Sequence, residues 1–454
     1  MSIYIHGRYL MNKKPDIIAL RAIRKVSHLS NKIARKSSHF LDRVEDKSTR
    51  MIINRAGSPD GLSHTGFNEF FYHSFPEITP IHPALPVLGQ KPSVTVFAFL
   101  DPRGFYGGIA TVLCVGAALA NRLGYDFRVA QTANFSDNTD VLDFLQSKGI
   151  TIEKERFSTL DLSKRSVTNF GYLPLHKNDV LVVSAWWDAH TAAQLPLKNK
   201  FLYLIQDYEP IFYNNSDRSA LAEQTYHTDK FIPILNTEIL YTFFKENDYK
   251  YITENAVYFE PAPAPTVAKT HRRVAGNEKR LFLYGRPNVH RNLYYMALEA
   301  LDIALQDERM QAFDWKLFSA GSTDIPSIKL TSGHVIKNKG KMSMQDYYDF
   351  AKTIDVAVSP MLAPHPNYPT LELASLGACV VSTKWKTKQS LDYYSSNIFM
   401  AEATATDMAE KIIQATLLDN KTRQANMKNN NISGNWAQAL KDPIDTVAKF
   451  YKKK

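Results

Sequence analysis

Short apolar runs alternate with segments of helical spacing along most of the chain. Because a parallel strand buried on both faces is apolar at nearly every position, such runs predict strands. The first set comprises residues 94–100, 127–130, 180–184, 201–206 and 231–234. The second set comprises residues 281–284, 315–319, 335–337, 356–359 and 379–382. The alternation predicts an α/β fold with two doubly wound parallel sheets, one for each set.

Proline-rich and polar stretches divide this pattern into domains. Residues 47–91 are rich in Pro, Gly, Ser and His, which predicts a linker, and the sequence PAPAP at residues 261–265 predicts a second boundary. We therefore expect four segments: a helical extension with its linker (1–91), two Rossmann-like domains (92–265 and 266–430) and a closing C-terminal helix (431–454). Apolar positions at helical spacing between residues 293 and 305 predict a core helix in the second domain.

Composition narrows the class of protein. With 44% hydrophobic and 22% charged residues, the 454-residue chain has an ordinary globular composition, and no apolar run has the length of a membrane span. We expect no signal peptide, since Arg8 and other polar residues interrupt any apolar segment near Met1. The two cysteines, Cys114 and Cys379, lie far apart in apolar runs without metal-type spacing. A reducing cytoplasm is therefore the expected compartment.

The positive charge is concentrated at the N-terminus. Residues 1–50 hold 12 Lys and Arg against 4 Asp and Glu, so the other 404 residues carry only +2 of the net charge of +10. This distribution argues against a nucleic-acid-binding groove. Apolar positions at helical spacing within residues 16–46, surrounded by basic side chains, fit a helix on anionic lipid at the inner face of the membrane. They fit equally a helix packed on its own protein.

Residues 356–383 contain a strand, a proline-rich loop, a helix beginning near Thr370 and another strand. Ligands of open α/β sheets bind at the carboxyl ends of the strands, and a helix N-terminus offers backbone N–H groups to phosphate. Thr370 and Leu371 are therefore candidate phosphate donors, and the Glu372 carboxylate is placed to accept from ribose hydroxyls. A carboxylate near a helix start is also explained by the helix dipole alone.

Other candidate ligand residues follow strands of both sets. Gly107 and Gly108 precede a helix, where glycines permit either close approach of a diphosphate or a tight connection. Arg286 and Arg291 follow the first strand of the second set, and guanidinium groups suit a departing diphosphate. Lys341 precedes another helix, although a solvated charge run explains it equally well.

A polar and aromatic group follows two strands of the first set. Asp207 and Tyr208, in QDYEP, are candidates to orient or deprotonate an acceptor hydroxyl, while a turn role is about as good an explanation for the aspartate. Trp187 and Asp188 follow the preceding strand, and flat aromatic rings suit both sugars and cores.

These motifs together resemble the GT-B superfamily of nucleotide-sugar glycosyltransferases, in which two Rossmann-like domains face each other across a cleft. YGGI, QDYEP, YGRP and HPNYPTLE are most similar to the WsaF-type rhamnosyltransferases of bacterial surface glycans, over residues 93–440. The resemblance implies transfer of L-rhamnose from dTDP-L-rhamnose to a glycan or lipid-linked glycan acceptor.

The resemblance also implies roles for individual residues. The second domain holds the donor, with the diphosphate on Arg286, Arg291 and Lys341. The amides near Thr370 and Leu371 contact phosphate oxygens and Glu372 contacts the deoxyribose. The first domain presents the acceptor beside Asp207. Asp207, Arg286 and Lys341 are the implied catalytic residues.

The chain departs from the GT-B pattern at one position. Many retaining members have a second glutamate eight residues before the ribose-binding one, where this chain has Pro364. We therefore expect His365 or Tyr368 to contact the sugar hydroxyls instead. The resemblance favours a retaining reaction, and because no D-x-D motif is present we expect no essential metal.

Two alternatives compete with glycosyl transfer. A nucleotide-sugar 2-epimerase uses the same fold and needs no glycan acceptor. A membrane-docked scaffold would bind a nucleotide in the cleft without consuming it.

Overall fold

The computed structural model describes residues 67–86, 88–100, 105, 107–133, 135–136, 140–165, 171–265, 277–323 and 325–452. The chain forms two compact units, Met1–Phe75 and Pro76–Lys454. Within the first unit the structure describes helix α1 (Phe67–Ser74). The basic helix predicted within residues 16–46 lies outside the described residues. Both large sheets belong to the second unit.

In the first half of the second unit, the described residues form nine strands. They are β1 (His82–Ala84), β2 (Ser93–Ala98), β3 (Asp126–Gln131), β4 (Phe157–Asp161), β5 (Tyr172–Pro174), β6 (Val180–Val183), β7 (Phe201–Ile205), β8 (Phe231–Asn236) and β9 (Val257–Phe259). Seven form a sheet in the order β4-β3-β2-β6-β7-β8-β9, in which every neighbouring pair is parallel. Strands β1 and β5 form a separate parallel pair.

The second half repeats this architecture. Its strands are β10 (Glu278–Tyr284), β11 (Asp314–Ala320), β12 (Ile328–Lys329), β13 (Val335–Asn338), β14 (Val356–Val358), β15 (Cys379–Thr383) and β16 (Ile398–Ala401). Their order is β12-β13-β11-β10-β14-β15-β16, and only the edge strand β12 is antiparallel to its neighbour. The predicted pair of Rossmann-like parallel sheets is therefore confirmed.

Helices connect the strands of both sheets. Those of the first half are α2 (Gly107–Leu123), α3 (Val141–Ser147), α4 (Trp186–Ala192), α5 (Asp217–Gln224), α6 (Glu238–Glu246) and α7 (Lys250–Asn255). Those of the second half are α8 (Tyr294–Gln306), α9 (Met344–Ala351), α10 (Tyr368–Ser375), α11 (Ala405–Leu417), α12 (Asn420–Lys428) and α13 (Trp436–Lys452). None of the described helices is long and apolar enough to span a membrane.

Each strand named in the two predicted sets is present, with its ends shifted by a few residues. The strands that the pattern missed are β1, β4, β5, β9, β12 and β16. Most of them are short or lie at a sheet edge. β9 (VYF) and β16 (IFMA) are apolar but brief edge strands, and the others contain polar or exposed positions that interrupt an apolar run. In β4, for example, three of the five residues are exposed.

The C-terminal helix α13 returns to the first sheet. Trp436, Leu440, Ile444 and Val447 are buried in the apolar cluster formed by β2, β3 and α2. The Trp436 ring lies 6.3 Å from the Phe259 ring of β9. The last helix therefore contributes to the core of the first sheet, although the second sheet precedes it in the chain.

Gly116 in α2 is required by the contact of this helix with the sheet. A Cβ at this position would lie 2.1 Å from Val96 Cγ2 and 3.2 Å from the Phe127 ring. Both neighbours are fully buried. Only glycine allows this close approach of helix and strands.

We predict that Gly116→Ala destabilises the protein by about 1–3 kcal/mol, because the added methyl group overpacks a closed core. Helix propensity alone would give the opposite sign, since alanine is the better helix former by about 1 kcal/mol. Urea denaturation monitored by circular dichroism measures the difference. A variant as stable as the wild type would show that α2 does not pack this tightly on β2.

Candidate functional site

Three glycine turns bring the ends of β10, β11 and β13 together. The Gly285 amide donates to the Ala320 carbonyl (2.8 Å), and the Gly321 amide donates to the Gly340 carbonyl (3.2 Å). Gly321 has a φ of +121°, and a Cβ there would lie 2.9 Å from the Gly285 carbonyl oxygen. Arg286 and Lys341, the residues that follow the outer two glycines, are thereby placed at one edge of the second sheet.

Both of these cations are exposed. Within the described residues, neither the Arg286 guanidinium nor the Lys341 ammonium makes a salt bridge or side-chain hydrogen bond. Arg286 also acts on Arg291, whose pKa is lowered mainly by burial and further by the positive charge of Arg286. Cations left unpaired at the carboxyl edge of a parallel sheet form a site suited to an anion.

Helix α10 begins at Tyr368, two residues before the predicted start. As a result, the amides of Thr370 and Leu371 both donate to the Asn367 carbonyl, at 3.0 and 3.3 Å. The prediction that these two amides are unpaired and available to phosphate is therefore wrong. Thr370 instead donates its hydroxyl to the Ser359 carbonyl (3.3 Å), and Leu371 is fully buried in the core.

The carboxyl group of Glu372 faces the first domain. Burial raises its pKa to about 7, against the opposing effects of the Lys148 ammonium and the Tyr347 hydroxyl. The Tyr347 hydroxyl is buried and makes no hydrogen bond of normal geometry to any residue that the structure describes. Glu372, Lys148 and Tyr347 thus form a polar group with spare hydrogen-bonding capacity, which is consistent with the predicted contact to a ribose hydroxyl.

Tyr368 links the two domains. Its hydroxyl accepts from Asn236 Nδ2 (2.7 Å), at the end of β8, and lies 2.8 Å from the Thr111 hydroxyl of α2. Thr111 in turn donates to the Gly107 carbonyl (3.1 Å). Gly107 has a φ of +50°, a conformation that glycine adopts without strain. The predicted glycine turn and the predicted Tyr368 are therefore brought together by one chain of hydrogen bonds.

Gly108 packs closely against Gln206. The Gln206 side-chain amide donates to the Gly108 carbonyl (3.0 Å), and a Cβ on Gly108 would lie 3.0 Å from that nitrogen. This contact fixes the glycine turn to the segment that carries Asp207.

His365 lies beside Tyr368, with ring centroids 5.3 Å apart. Its Nδ1 accepts from the Asn367 amide (3.0 Å), while its Nε2 is buried and has no hydrogen-bond partner among the described residues. Burial, with the nearby Lys388 and Arg291, lowers the pKa of His365 to about 3. The imidazole is therefore neutral, and because Nδ1 is an acceptor the proton lies on Nε2.

Asp207 and Arg291 meet across the cleft. Arg291 Nε lies 3.6 Å from Asp207 Oδ2, and the guanidinium carbon lies 3.9 Å above the Phe212 ring. Burial raises the pKa of Asp207 to about 6, although Arg291 and the Tyr208 amide oppose this shift. The resemblance implies that Arg291 binds the diphosphate, whereas in the structure its guanidinium contacts Asp207 and Phe212 of the first domain.

Lys388 was missed by the sequence reasoning. It is fully buried, donates from Nζ to the Met361 carbonyl (2.7 Å), and interacts electrostatically with Asp207. It ends a turn that contacts the first domain, where the Trp385 ring lies 5.6 Å from Phe243 and the Thr387 hydroxyl donates to the Ile239 carbonyl (3.3 Å). In the sequence TKWKTKQS, a solvated charge run is the natural interpretation, so no local signal distinguishes this lysine.

The acceptor-side residues separate into two groups. Asp188 is buried, and one of its carboxylate oxygens has no hydrogen-bond partner within the described part of the chain. Burial raises its pKa to about 6, against the effects of Thr132 and Arg165. Trp187 is half-buried, with its ring 5.9 Å from that of Trp186. These two side chains stay near the end of β6 as predicted.

Tyr208 instead belongs to the core of the first domain. Its hydroxyl donates to Glu223 (2.7 Å), and its ring packs on Tyr226 and Phe243. These contacts engage its hydroxyl and its ring within the domain while the side chain stays partly exposed, so the acceptor contact of Tyr208 remains a prediction.

Glu209, the other acidic residue of QDYEP, is a second carboxyl group at the end of β7. It accepts from the Trp186 amide (2.5 Å) at the start of α4. Burial, together with the nearby Asp207 and Asp188, raises the pKa of Glu209 to about 8. A protonated Glu209 limits the negative charge beside Asp207 at neutral pH.

Two family models match the chain, one in each domain. The model described as "WsaF, N-terminal domain" matches residues 96–238, and "WsaF, C-terminal domain" matches residues 279–413. The O-antigen biosynthesis protein RfbC of Myxococcus xanthus is 30% identical over 237 residues, which are 52% of this chain and 18% of that protein. The chain thus spans less than a fifth of the length of this curated relative.

Solved structures share the two-domain architecture. Sucrose-phosphate synthase from Thermosynechococcus elongatus has a TM-score of 0.54 at 12% identity, over 80% of this chain and 98% of that one. WaaG, a glycosyltransferase involved in lipopolysaccharide biosynthesis, has a TM-score of 0.52 at 14% identity, over 80% and 100%. HepE of Anabaena, in complex with UDP and glucose, has a TM-score of 0.50 at 13% identity, over 79% and 98%. At these identities the likeness shows the fold.

We predict that Lys388→Met changes the pH dependence of stability. Burial lowers the pKa of Lys388 to about 7, whereas an unfolded lysine titrates near 10.4. Between these values the unfolded wild type binds more protons, so its free energy of unfolding rises with pH. Between pH 7 and pH 9, the free energy of unfolding of the variant should therefore fall by about 2 kcal/mol relative to that of the wild type.

Urea denaturation at several pH values measures this slope. The matched control is Lys386→Met, which removes an exposed lysine from the same turn. Identical slopes for Lys388→Met and the wild type would show that Lys388 is not held as a buried amine.

Proposed function

We propose that this chain, which belongs to the WsaF-type glycosyltransferases of the GT-B fold, transfers L-rhamnose from dTDP-L-rhamnose to a saccharide acceptor during assembly of a bacterial surface glycan. The nucleotide sugar occupies the edge of the second sheet, and the glycan or lipid-linked glycan acceptor approaches from the first.

The observation that carries this proposal is the pair of unpaired cations at the ends of β10 and β13. Arg286 and Lys341 follow the glycine turns at the carboxyl edge of the second sheet, and within the described chain no carboxylate forms a salt bridge with either of them. A diphosphate supplies the missing negative charge, and guanidinium binds its oxygens in a bidentate manner. As the sugar is transferred, negative charge accumulates on the departing diphosphate, so both cations stabilise the transition state.

The first domain supplies the group that receives the acceptor proton. The acceptor oxygen forms a bond to C1 of the rhamnosyl group, the bond from C1 to the diphosphate oxygen breaks, and dTDP leaves with the electron pair. The acceptor proton passes to Asp207. Since burial raises the pKa of this carboxyl to about 6, it is ionised at neutral pH and still basic enough to take a proton.

Two relatives support the substrate class. The name of the Myxococcus relative refers to O-antigen biosynthesis, and HepE was solved with UDP and glucose. We extend to this chain the use of a nucleotide sugar and the assembly of a surface glycan. The choice of rhamnose and of the dTDP carrier rests on the resemblance of the four sequence motifs to WsaF-type enzymes.

Donor binding is proposed to need no metal, because Arg286 and Lys341 provide the positive charge that a divalent cation would otherwise supply to a diphosphate. Contact with anionic lipid through residues 16–46 is part of the proposal as the route to a lipid-linked acceptor.

We predict that the protein binds dTDP in the presence of EDTA and that Arg286→Ala weakens this binding by about tenfold to a hundredfold, the usual loss for a charge-assisted hydrogen bond. Isothermal titration calorimetry with dTDP, UDP, GDP and dTDP-L-rhamnose measures both effects. Turnover with an acceptor should fall by about a hundredfold or more in the same variant.

The matched control is Arg309→Ala. Arg309 is an exposed arginine of the same domain, but it lies before β11 at the opposite edge of the sheet, paired with Asp307 and Glu410. Its loss should leave nucleotide binding unchanged. Preference for UDP or GDP would show that the donor is another nucleotide sugar. Isomerisation of the donor without an acceptor would favour a 2-epimerase. Binding without any turnover would favour a scaffold, and absence of binding would overturn the proposal.

A further inference from the structure

Lys388 is a buried lysine that the reaction proposed above does not use. It is 0% exposed, and its Nζ donates to the Met361 carbonyl (2.7 Å). Within the described part of the chain it forms no salt bridge. Burying an amine is costly because its charged form must be desolvated. An uncharged donor could bind a carbonyl at a smaller cost, so the contact with Met361 alone does not explain this lysine.

Two sets of contacts connect Lys388 to Asp207. The first passes through the loop after β14, which carries Met361. Met361 is followed by Leu362, whose amide donates to the Arg291 carbonyl (2.8 Å). The Nε atom of Arg291 in turn lies 3.6 Å from Asp207 Oδ2. Adjacent residues of one loop thus bind the buried lysine and the arginine that meets Asp207.

The second set of contacts passes through aromatic rings. Lys388 and Trp385 exchange two backbone hydrogen bonds across their turn, of 2.8 and 3.0 Å. The Trp385 ring lies 5.6 Å from the Phe243 ring, which lies 5.0 Å from the Tyr208 ring. Tyr208 directly follows Asp207 in the chain. The lysine and the aspartate therefore lie between these two sets of contacts, where the two domains meet.

The electrostatics agree with this placement. Lys388 lowers the pKa of Asp207, and Asp207 raises the pKa of Lys388, each against the effect of burial. Arg291, Glu209 and Tyr226 also face Asp207. Burial raises the pKa of Glu209 to about 8 and that of Tyr226 still further above neutrality, so both groups are largely neutral at pH 7. Within the described chain, Arg291 and Lys388 are thus the positive charges that balance Asp207.

We propose that Lys388 is a positioning residue for the proposed reaction, in which its ammonium keeps the Asp207 carboxyl group ionised and ready to take the acceptor proton. This inference rests on the proposed function. Because burial lowers the pKa of Lys388 to about 7, the lysine is charged below that pH, where Asp207 would otherwise bind a proton. His365 also faces Lys388, but its imidazole is neutral and adds no charge. The second domain thus controls the ionisation of a carboxyl group in the first.

The first test measures the pH dependence of kcat/KM for dTDP-L-rhamnose, with octyl α-L-rhamnoside as the acceptor and release of dTDP as the readout. In Lys388→Met the acid limb should move to higher pH by about one pH unit, since a positive charge near Asp207 has been removed. The value of kcat/KM should therefore fall by about fivefold at pH 6 and stay nearly unchanged at pH 8. Lys388→Gln is measured as well, so that the failure of one variant to fold leaves the other.

Instability of the variant would not give this result. The protonated form of Lys388 is the one that burial disfavours, so Lys388→Met should be most stable relative to the wild type at pH 7 and below. Lys388→Arg keeps a positive charge at every pH and should retain the acid limb of the wild type. The matched control Lys386→Met removes an exposed lysine of the same turn and should also leave the acid limb in place.

A double-mutant cycle of Lys388→Met and Asp207→Asn tests the same interaction without an acceptor. The two effects on the free energy of unfolding should be non-additive at pH 7 and nearly additive at pH 9, where Lys388 is neutral. Additive effects at both pH values, or an acid limb that Lys388→Met leaves in place, would overturn the role of Lys388 alone. A wild type that neither binds dTDP nor releases it from the donor would overturn the proposed function, and the role of Lys388 in that reaction with it.

Discussion

The site depends on one side chain that belongs to both domains. Tyr368 starts helix α10 of the second domain, yet its ring is buried in the apolar cluster of the first, and its hydroxyl bonds to Asn236 and lies against Thr111. Because the hydroxyl lies where water is excluded, leaving it unpaired would be costly. The relative position of the two sheet edges is thus tied to a directional bond, and not only to apolar contact, which tolerates sliding.

Around this contact the protein keeps several ionisable groups away from water. Asp207, Glu209, Glu372 and Lys388 are all shifted towards neutrality by burial. Such groups weaken a fold, since each charged form must be desolvated. Their concentration where the strands of both sheets end is the pattern expected of a site that needs pKa values near 7. A functional site therefore explains the burial of these four groups better than a contribution to stability does.

The sequence predicted the two sheets well because central parallel strands are apolar throughout, a signal that needs no knowledge of the tertiary structure. It also predicted the position of Arg286 and Lys341 at the carboxyl edge of the second sheet, because residues after a strand lie there. It failed where the role depends on a distant partner. Lys388 resembles its exposed neighbour Lys386 in sequence, and only the docking of its turn on the first domain buries it. The hydrogen bond of Tyr208 to Glu223, fifteen residues further along the chain, likewise has no signal in the local sequence.

The different surroundings of Arg286 and Arg291 likewise depend on residues that are distant in sequence. Both follow β10, and local sequence gives no reason to treat them differently. In the folded chain Arg291 stacks on Phe212 and faces Asp207, so its charge is largely balanced before any ligand arrives. Arg286 remains unbalanced and exposed. In the proposed reaction a diphosphate therefore gains more from Arg286, while Arg291 favours the ionised form of Asp207. One loop would thus supply a charge to each side of that reaction, one for the leaving group and one for the base.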